Sequence, residues 1–236
     1  MICYNLFMKK LLLTSKGLTI EISKSFSSLL VKKPHDNKVA FINTASYGEY
    51  TNNLLLREVK SFLVNLYSKI NLKLFGFNNI FEIDLRKENS NSLNEKLKNK
   101  DIIFINGGNT FYLLYWMRKS RLDRLLPKLL NEGVIYIGLS ASSYICCPTI
   151  EQAHWEPQDK NNIKLKNLKG LNYLPFIITA HFKEEYKSAV EKNAKNIEWS
   201  VVALNDKQAI LVKNNKYKIV GEGEKVFYNG FKENWI

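Results

Sequence analysis

The chain has 236 residues, 45% of them hydrophobic and 24% charged, which suits one globular domain that buries its core without disulfide or metal staples. No apolar run approaches the roughly 20 residues needed to span a bilayer, so a membrane-spanning protein is not expected. The formal net charge of +13 invites a nucleic-acid role, but the lysines are scattered along the whole chain rather than gathered. Even the densest stretch, residues 160–169, is broken by Asn161, Asn162, Asn167 and apolar residues, so no nucleic-acid partner is expected. A basic surface of this kind can still steer acidic small substrates. Cys3, Cys146 and Cys147 offer neither a disulfide framework nor metal-ligand spacing, and Cys146 and Cys147 read as small buried hydrophobes.

The N-terminal stretch has two lysines inside an apolar run and no small-residue cleavage site, so a buried first strand over residues 10–14 explains Leu11, Leu12 and Leu13 better than a leader does. Cytoplasmic location is the resulting expectation. Further short apolar runs of strand type cover residues 39–43, 80–85, 102–106 and 134–139. Between them lie amphipathic helical segments. The clearest spans residues 52–70, where Leu55, Val59, Phe62, Leu63, Leu66 and Ile70 share one face, and two more are read at 110–119 and 122–131. Apolar strands alternating with helices argue for an α/β fold with a mostly parallel sheet and helices on both faces.

After Ser140 the rhythm changes. Residues 151–172 form a polar excursion with little regular structure. A strand at 175–182, a helix at 183–195 and strands at 199–203, 209–212 and 217–220 follow. The last two are joined by Lys213-Asn214-Asn215-Lys216, a hairpin signal. No repeat or linker divides the chain.

Two features stand at the C-terminal ends of predicted parallel strands, where open α/β sheets place ligands. The first is Asn106-Gly107-Gly108-Asn109-Thr110, whose glycines let backbone amides face a ligand closely. Asn109 and Thr110 can cap the next helix or contact a substrate. The second is Gly138-Leu139-Ser140-Ala141-Ser142, a strand running into Gly-x-Ser and then into a short helix ended by Pro148. That is the layout of a nucleophile elbow, in which the Ala141 amide could stabilise an oxyanion. From the elbow alone, Ser140 reads either as a nucleophile or as a helix cap. A nucleophilic serine needs a base. Among His35, His154 and His181, only His181 ends an apolar strand.

Taken together, Lys9-Lys10-Leu-Leu-Leu-Thr-Ser-Lys-Gly-Leu18, Gly107-Gly108-Asn109-Thr110-Phe111, Gly138-Leu-Ser140-Ala141, Pro148-Thr-Ile-Glu151 and Pro175-Phe…His181-Phe182 resemble the successive blocks of peptidase family S51, the dipeptidase E and cyanophycinase-like serine peptidases. The resemblance runs in order from about Met8 to Val220, leaving residues 1–7 as an extension of a single domain over 8–236. It implies a class I glutamine amidotransferase-like (flavodoxin-like, three-layer) fold with a C-terminal β-hairpin. It also implies hydrolysis of short peptides through an acyl-enzyme, with Ser140 as nucleophile, His181 as base and Asp206 as acid. The oxyanion donors would be the amides of Gly108 (or Gly107) and Ala141. No cofactor, metal or membrane partner is implied, and monomer and homodimer both stay open. The chain departs from the family pattern in two places. Ser142 replaces the elbow glycine, so the turn is expected to open or to carry strain of about 1–3 kcal/mol, and Ser142→Gly to keep or raise activity. Trp155 stands where some members carry an aspartate, with Glu156 beside it as a second candidate acid.

Overall fold

The computed structural model describes residues 9–48, 53–155 and 158–235, so the extension at 1–7 and the candidate acid Glu156 lie outside the described residues. The chain opens with β1 (Lys10–Thr14) and α1 (Ile20–Phe26), then passes through β2 (Lys38–Ile42), α2 (Leu54–Leu74), β3 (Asn79–Ile83), α3 (Ser90–Leu97) and β4 (Ile102–Ile105). Two consecutive helices, α4 (Thr110–Ser120) and α5 (Leu122–Asn131), precede β5 (Ile135–Leu139) and α6 (Ala141–Ile145). The C-terminal third holds β6 (Ile177–Thr179), α7 (Lys187–Ala194), β7 (Val201–Ala203), β8 (Gln208–Lys213), β9 (Lys216–Gly221) and β10 (Val226–Tyr228).

The fold is α/β, built on a seven-stranded sheet in the order β3-β2-β4-β5-β1-β8-β9. The first five strands are parallel, while β8 and β9 run antiparallel as the expected hairpin. Its turn places Asn214 at φ 59°, a conformation asparagine tolerates well. The strands read as unbroken apolar runs because both faces are covered. Leu11, Leu13, Ala40, Ile42, Ile103 and Ile105 join one core, and Leu12, Val39, Phe41, Ile102, Phe104 and Ile137 the other. Cys146 and Cys147 are fully buried and unbridged.

Three features depart from the sequence reading. The strands before and after α7 do not extend the main sheet; β6 and β7 pair in parallel in a small sheet of their own, closed by β10. Strand β1 is flanked on both sides, by β5 and β8, so the place beside it is already filled. Two short helices, α1 and α3, were not legible as periodic segments. Each has only two buried apolar residues and starts on a capped turn: the Thr19 side chain accepts from Ile22 N–H, and Asn89 with Ser92 forms a capping box.

The largest departure concerns α2. Its inward residues are Ser61, Asn65, Ser68 and Leu72, and its apolar face points to solvent. The polar side is held by a buried chain of hydrogen bonds. Ser68 Oγ donates to Asn106 Oδ1 at 2.8 Å, Asn106 Nδ2 to Asn65 Oδ1 at 2.8 Å, and Asn65 Nδ2 to Ser46 Oγ at 3.1 Å. A 2.6 Å bond between the Ser46 and Ser61 hydroxyls completes it. Among the described residues, no helix is long and apolar enough to cross a membrane.

Candidate active site

Strand β5 delivers Ser140 at its C-terminal end with φ 53° and ψ −108°, the left-handed region that non-glycine residues occupy only when held there. The surroundings hold it firmly. Ser140 N–H donates to the Thr14 carbonyl at 2.9 Å, which extends the β1–β5 pairing into the turn. The Ser140 carbonyl then accepts from the amides of Ser143 and Tyr144 at 2.8 and 3.1 Å, starting α6. The close approach behind this turn falls on Gly138, where a Cβ would sit 3.0 Å from the Ser142 carbonyl.

Ser142 was expected to open or strain the turn, and the structure corrects that expectation. Its side chain is fully buried and fits within the turn. The hydroxyl accepts from Leu139 N–H at 2.6 Å and donates to the Ile105 carbonyl at 2.6 Å, with the Leu139 carbonyl also near at 3.1 Å. It therefore ties the elbow to the end of β4. Ser142→Gly removes that hydroxyl and is expected to lower stability by about 1–3 kcal/mol, the cost of leaving buried polar groups without a partner. A shift of the urea midpoint to lower concentration, with reduced turnover, is the expected reading.

His181 follows β6 and also has positive φ, at 58°. Its backbone N–H donates to Ser15 Oγ at 2.8 Å, and that hydroxyl faces the Leu204 carbonyl at 3.3 Å. The preceding amide, Ala180 N–H, donates to Tyr144 Oη at 2.9 Å, tying this strand to α6. The backbone that carries the imidazole is thus held by Ser15, just past β1, and by Tyr144 of α6. His181 Nε2 lies 3.0 Å from Ser140 Oγ, and Nδ1 lies 2.6 Å from Asp206 Oδ1. Asp206 sits on the turn between β7 and β8, where Lys16 Nζ donates to its other oxygen at 3.1 Å. Burial works against its charge, but hydrogen bonds and positive charge from His181 and Lys16 prevail and hold its carboxyl below the usual range. An ionised carboxylate only accepts, so Nδ1 carries the proton toward Asp206 and Nε2 is left to accept from the Ser140 hydroxyl.

The Gly107–Gly108 loop runs directly beside Ser140, since a Cβ at Gly107 would lie 3.4 Å from that of Ser140. Gly108, at φ 137°, admits no side chain, because a Cβ there would lie 2.3 Å from the Ala45 carbonyl oxygen. The Gly107 amide is already used, donating to Asn106 Oδ1 at 2.9 Å. Among the described residues, the amides of Gly108 and Ala141 donate to no protein acceptor.

Asn109 and Thr110, expected to contact substrate, make different contacts here. Asn109 is nearly buried; its oxygen caps α4 by accepting from Tyr112 N–H at 2.9 Å, and its nitrogen donates to the Lys160 carbonyl at 2.9 Å. Thr110 is fully buried, and neither side chain lines the cleft. His35 lies in the turn before β2, at the opposite end of the sheet, and the His154 ring packs 4.7 Å from that of Phe111. Trp155 is buried against the small sheet with Phe182.

A cleft of about 590 Å³ opens over Ser140 and His181, with Leu63, Val64 and Tyr67 of α2 on one side and Lys16 and Asp159 on others. Asp159 is the residue the sequence reading overlooked. Its Oδ2 accepts from Thr110 N–H at the start of α4, at 2.8 Å. Burial pushes its carboxyl above the usual range, opposed by the Thr110 hydrogen bonds and by the positive charge of His181 and His154. An aspartate inside a polar loop carries no local signal that the loop folds back over a helix start. Among the described residues, no group of His, Cys, Asp and Glu could hold a metal ion.

A strained-turn serine at the end of a parallel strand, with a histidine and a carboxylate in line behind it, is the arrangement of serine hydrolases. The chain belongs to peptidase family S51, whose sequence model matches residues 11–220. An uncharacterized peptidase of Listeria innocua is 30% identical over 213 residues, covering 89% of this chain and 95% of that protein. Peptidase E of a Nostoc species is 34% identical over 91 residues, which is 39% of this chain and 36% of that one. The crystal structure of a putative peptidase E protein from Listeria monocytogenes superposes with a TM-score of 0.72 at 23% identity, over 92% of this chain and all of that one.

Proposed function

We propose that this protein is a cytoplasmic serine peptidase that cleaves short peptides, with Ser140, His181 and Asp206 as its triad. The observation that carries the reading is the unbroken line from Ser140 Oγ through His181 to Asp206, with steps of 3.0 and 2.6 Å. In this mechanism His181 Nε2 takes the Ser140 proton as Oγ attacks the peptide carbonyl, and Asp206 stabilises the imidazolium that forms. The developing oxyanion is received by the amides of Gly108 and Ala141, which donate to no acceptor among the described residues. His181 then returns the proton to the leaving amine, and water releases the acyl group from Ser140 by the reverse sequence. Asp159 gives the cleft a carboxyl that would meet the ammonium group of a peptide N-terminus. The volume of the cleft suits a substrate of two or three residues.

A fluorophosphonate probe tests this reading without knowledge of the substrate, and a panel of dipeptides with acidic, basic and apolar first residues tests the substrate class. The expected result is stoichiometric labelling of Ser140 and hydrolysis of at least one member of the panel. A folded protein that takes no label and cleaves none of the peptides would point to a binding role for the same cleft.

A further inference from the structure

We propose that α2 is the interface of a homodimer, in which two copies of this helix pack antiparallel across a two-fold axis. A surface helix ordinarily buries its apolar stripe and shows its polar face. Here the order is reversed: Ser61, Asn65 and Ser68 are spent on the buried network, while Leu55, Phe62 and Leu74 are 73%, 62% and 78% exposed. Apart from Leu63, Val64 and Tyr67, which line the cleft, the stripe of Leu55, Val59, Phe62, Leu66, Ile70 and Leu74 exposes on the order of 600 Å², where a standard protein–protein interface takes about 800 Å² from each partner. A stripe of that size stands at the upper end of what monomers expose, where such patches are often functional.

The charges on its rim select a second copy as the occupant. Glu58 and Lys69 lie about three helical turns apart and so fall on the same edge of the apolar face. In an antiparallel pair, like edges meet. A two-fold axis passing between Leu63 and Val64 therefore sets Glu58 of each copy opposite the partner's Lys69, giving two symmetric opposite-charge pairs around an apolar centre. In a parallel two-fold pair unlike edges meet, so Glu58 and Lys69 would both face the partner's opposite edge and neither pair would form. Lys69 also reaches Glu82 on β3 at 2.5 Å, and an ammonium group has three donors with which to bridge both carboxylates. The same helix supplies Leu63, Val64 and Tyr67 to the cleft, so the proposed interface adjoins the substrate site.

Sedimentation velocity on the purified full chain over a range of micromolar concentrations tests the proposal. The expected result is a dimer. Phe62→Glu, which puts a charge on the apolar face at mid-helix, should give a monomer whose thermal melt remains cooperative. Glu58→Lys lies on the exposed rim and does not threaten the fold; by facing like charges at two places it should weaken the dimer on the order of tenfold. Adding Lys69→Glu to it should recover part of that loss, although Lys69→Glu alone weakens the dimer. A wild-type chain that is monomeric throughout would overturn the proposal, as would a dimer unaffected by Phe62→Glu. Failure of the double reversal to recover would overturn the antiparallel arrangement. A monomer that co-sediments with anionic vesicles would assign the face to a membrane surface instead.

Discussion

Ser140→Ala is expected to lower turnover of a cleaved peptide by on the order of 10⁴–10⁶-fold, the usual consequence of removing a nucleophile from a working triad. The fold should survive intact. The turn is held by backbone bonds from Ser140 N–H to the Thr14 carbonyl and from the Ser143 and Tyr144 amides to the Ser140 carbonyl, none of which uses the hydroxyl. The lost contact is the 3.0 Å bond to His181 Nε2 at the part-exposed surface of the cleft. Alanine can be held at positive φ by the same neighbours that hold serine there. Peptide binding should therefore persist while chemistry stops, giving a variant that binds substrate in calorimetry and takes no fluorophosphonate label. Turnover that persists unchanged would remove Ser140 from the mechanism.

Asp206→Asn is expected to cost about 10³–10⁴-fold in kcat with little change in KM. The carboxylate contributes an acceptor 2.6 Å from His181 Nδ1 and so fixes the proton on that nitrogen. An amide in its place can present a donor, which favours the tautomer whose Nε2 is protonated and cannot accept from Ser140. Electrostatics support the assignment. Burial opposes the charge, but the hydrogen bonds of His181 and Lys16 outweigh it and hold the Asp206 carboxyl below the usual range. A group with a depressed value in the folded state contributes its stability above the usual carboxylate range and loses it as pH falls through the lower folded value. The pair should thus persist into mildly acidic solution, and Asp206→Asn should flatten that part of the acid-unfolding profile. Glu156→Gln serves as the control and is expected to leave kcat near the wild-type value. The reverse ranking of the two variants would transfer the acid role to Glu156.

What the sequence determined by itself was local. Runs such as Leu11–Leu13 and Ile102–Ile105 are short and apolar on both faces, so they demand a covered parallel sheet wherever they lie in the order. The strand running into Gly138-Leu139-Ser140 marks the elbow because the turn and its serine are contiguous, and His181 is visible for the similar reason that it ends a strand. Asp206 was reached only through family resemblance, since an aspartate in a turn resembles any other. Tertiary structure alone decided the rest. Periodicity revealed an apolar stripe on α2 but could not reveal which side faces inward; that was settled by Asn106 and Ser46, whose side chains need the partners that Ser61, Asn65 and Ser68 supply. Ser142 looked like a misfit because the acceptor and donor of its hydroxyl include Ile105, a residue 37 positions away. Asp159 entered the cleft through the Thr110 amide, 49 positions earlier. Hydrophobic patterning is written residue by residue, whereas a buried polar group is satisfied only by whatever the fold brings to it.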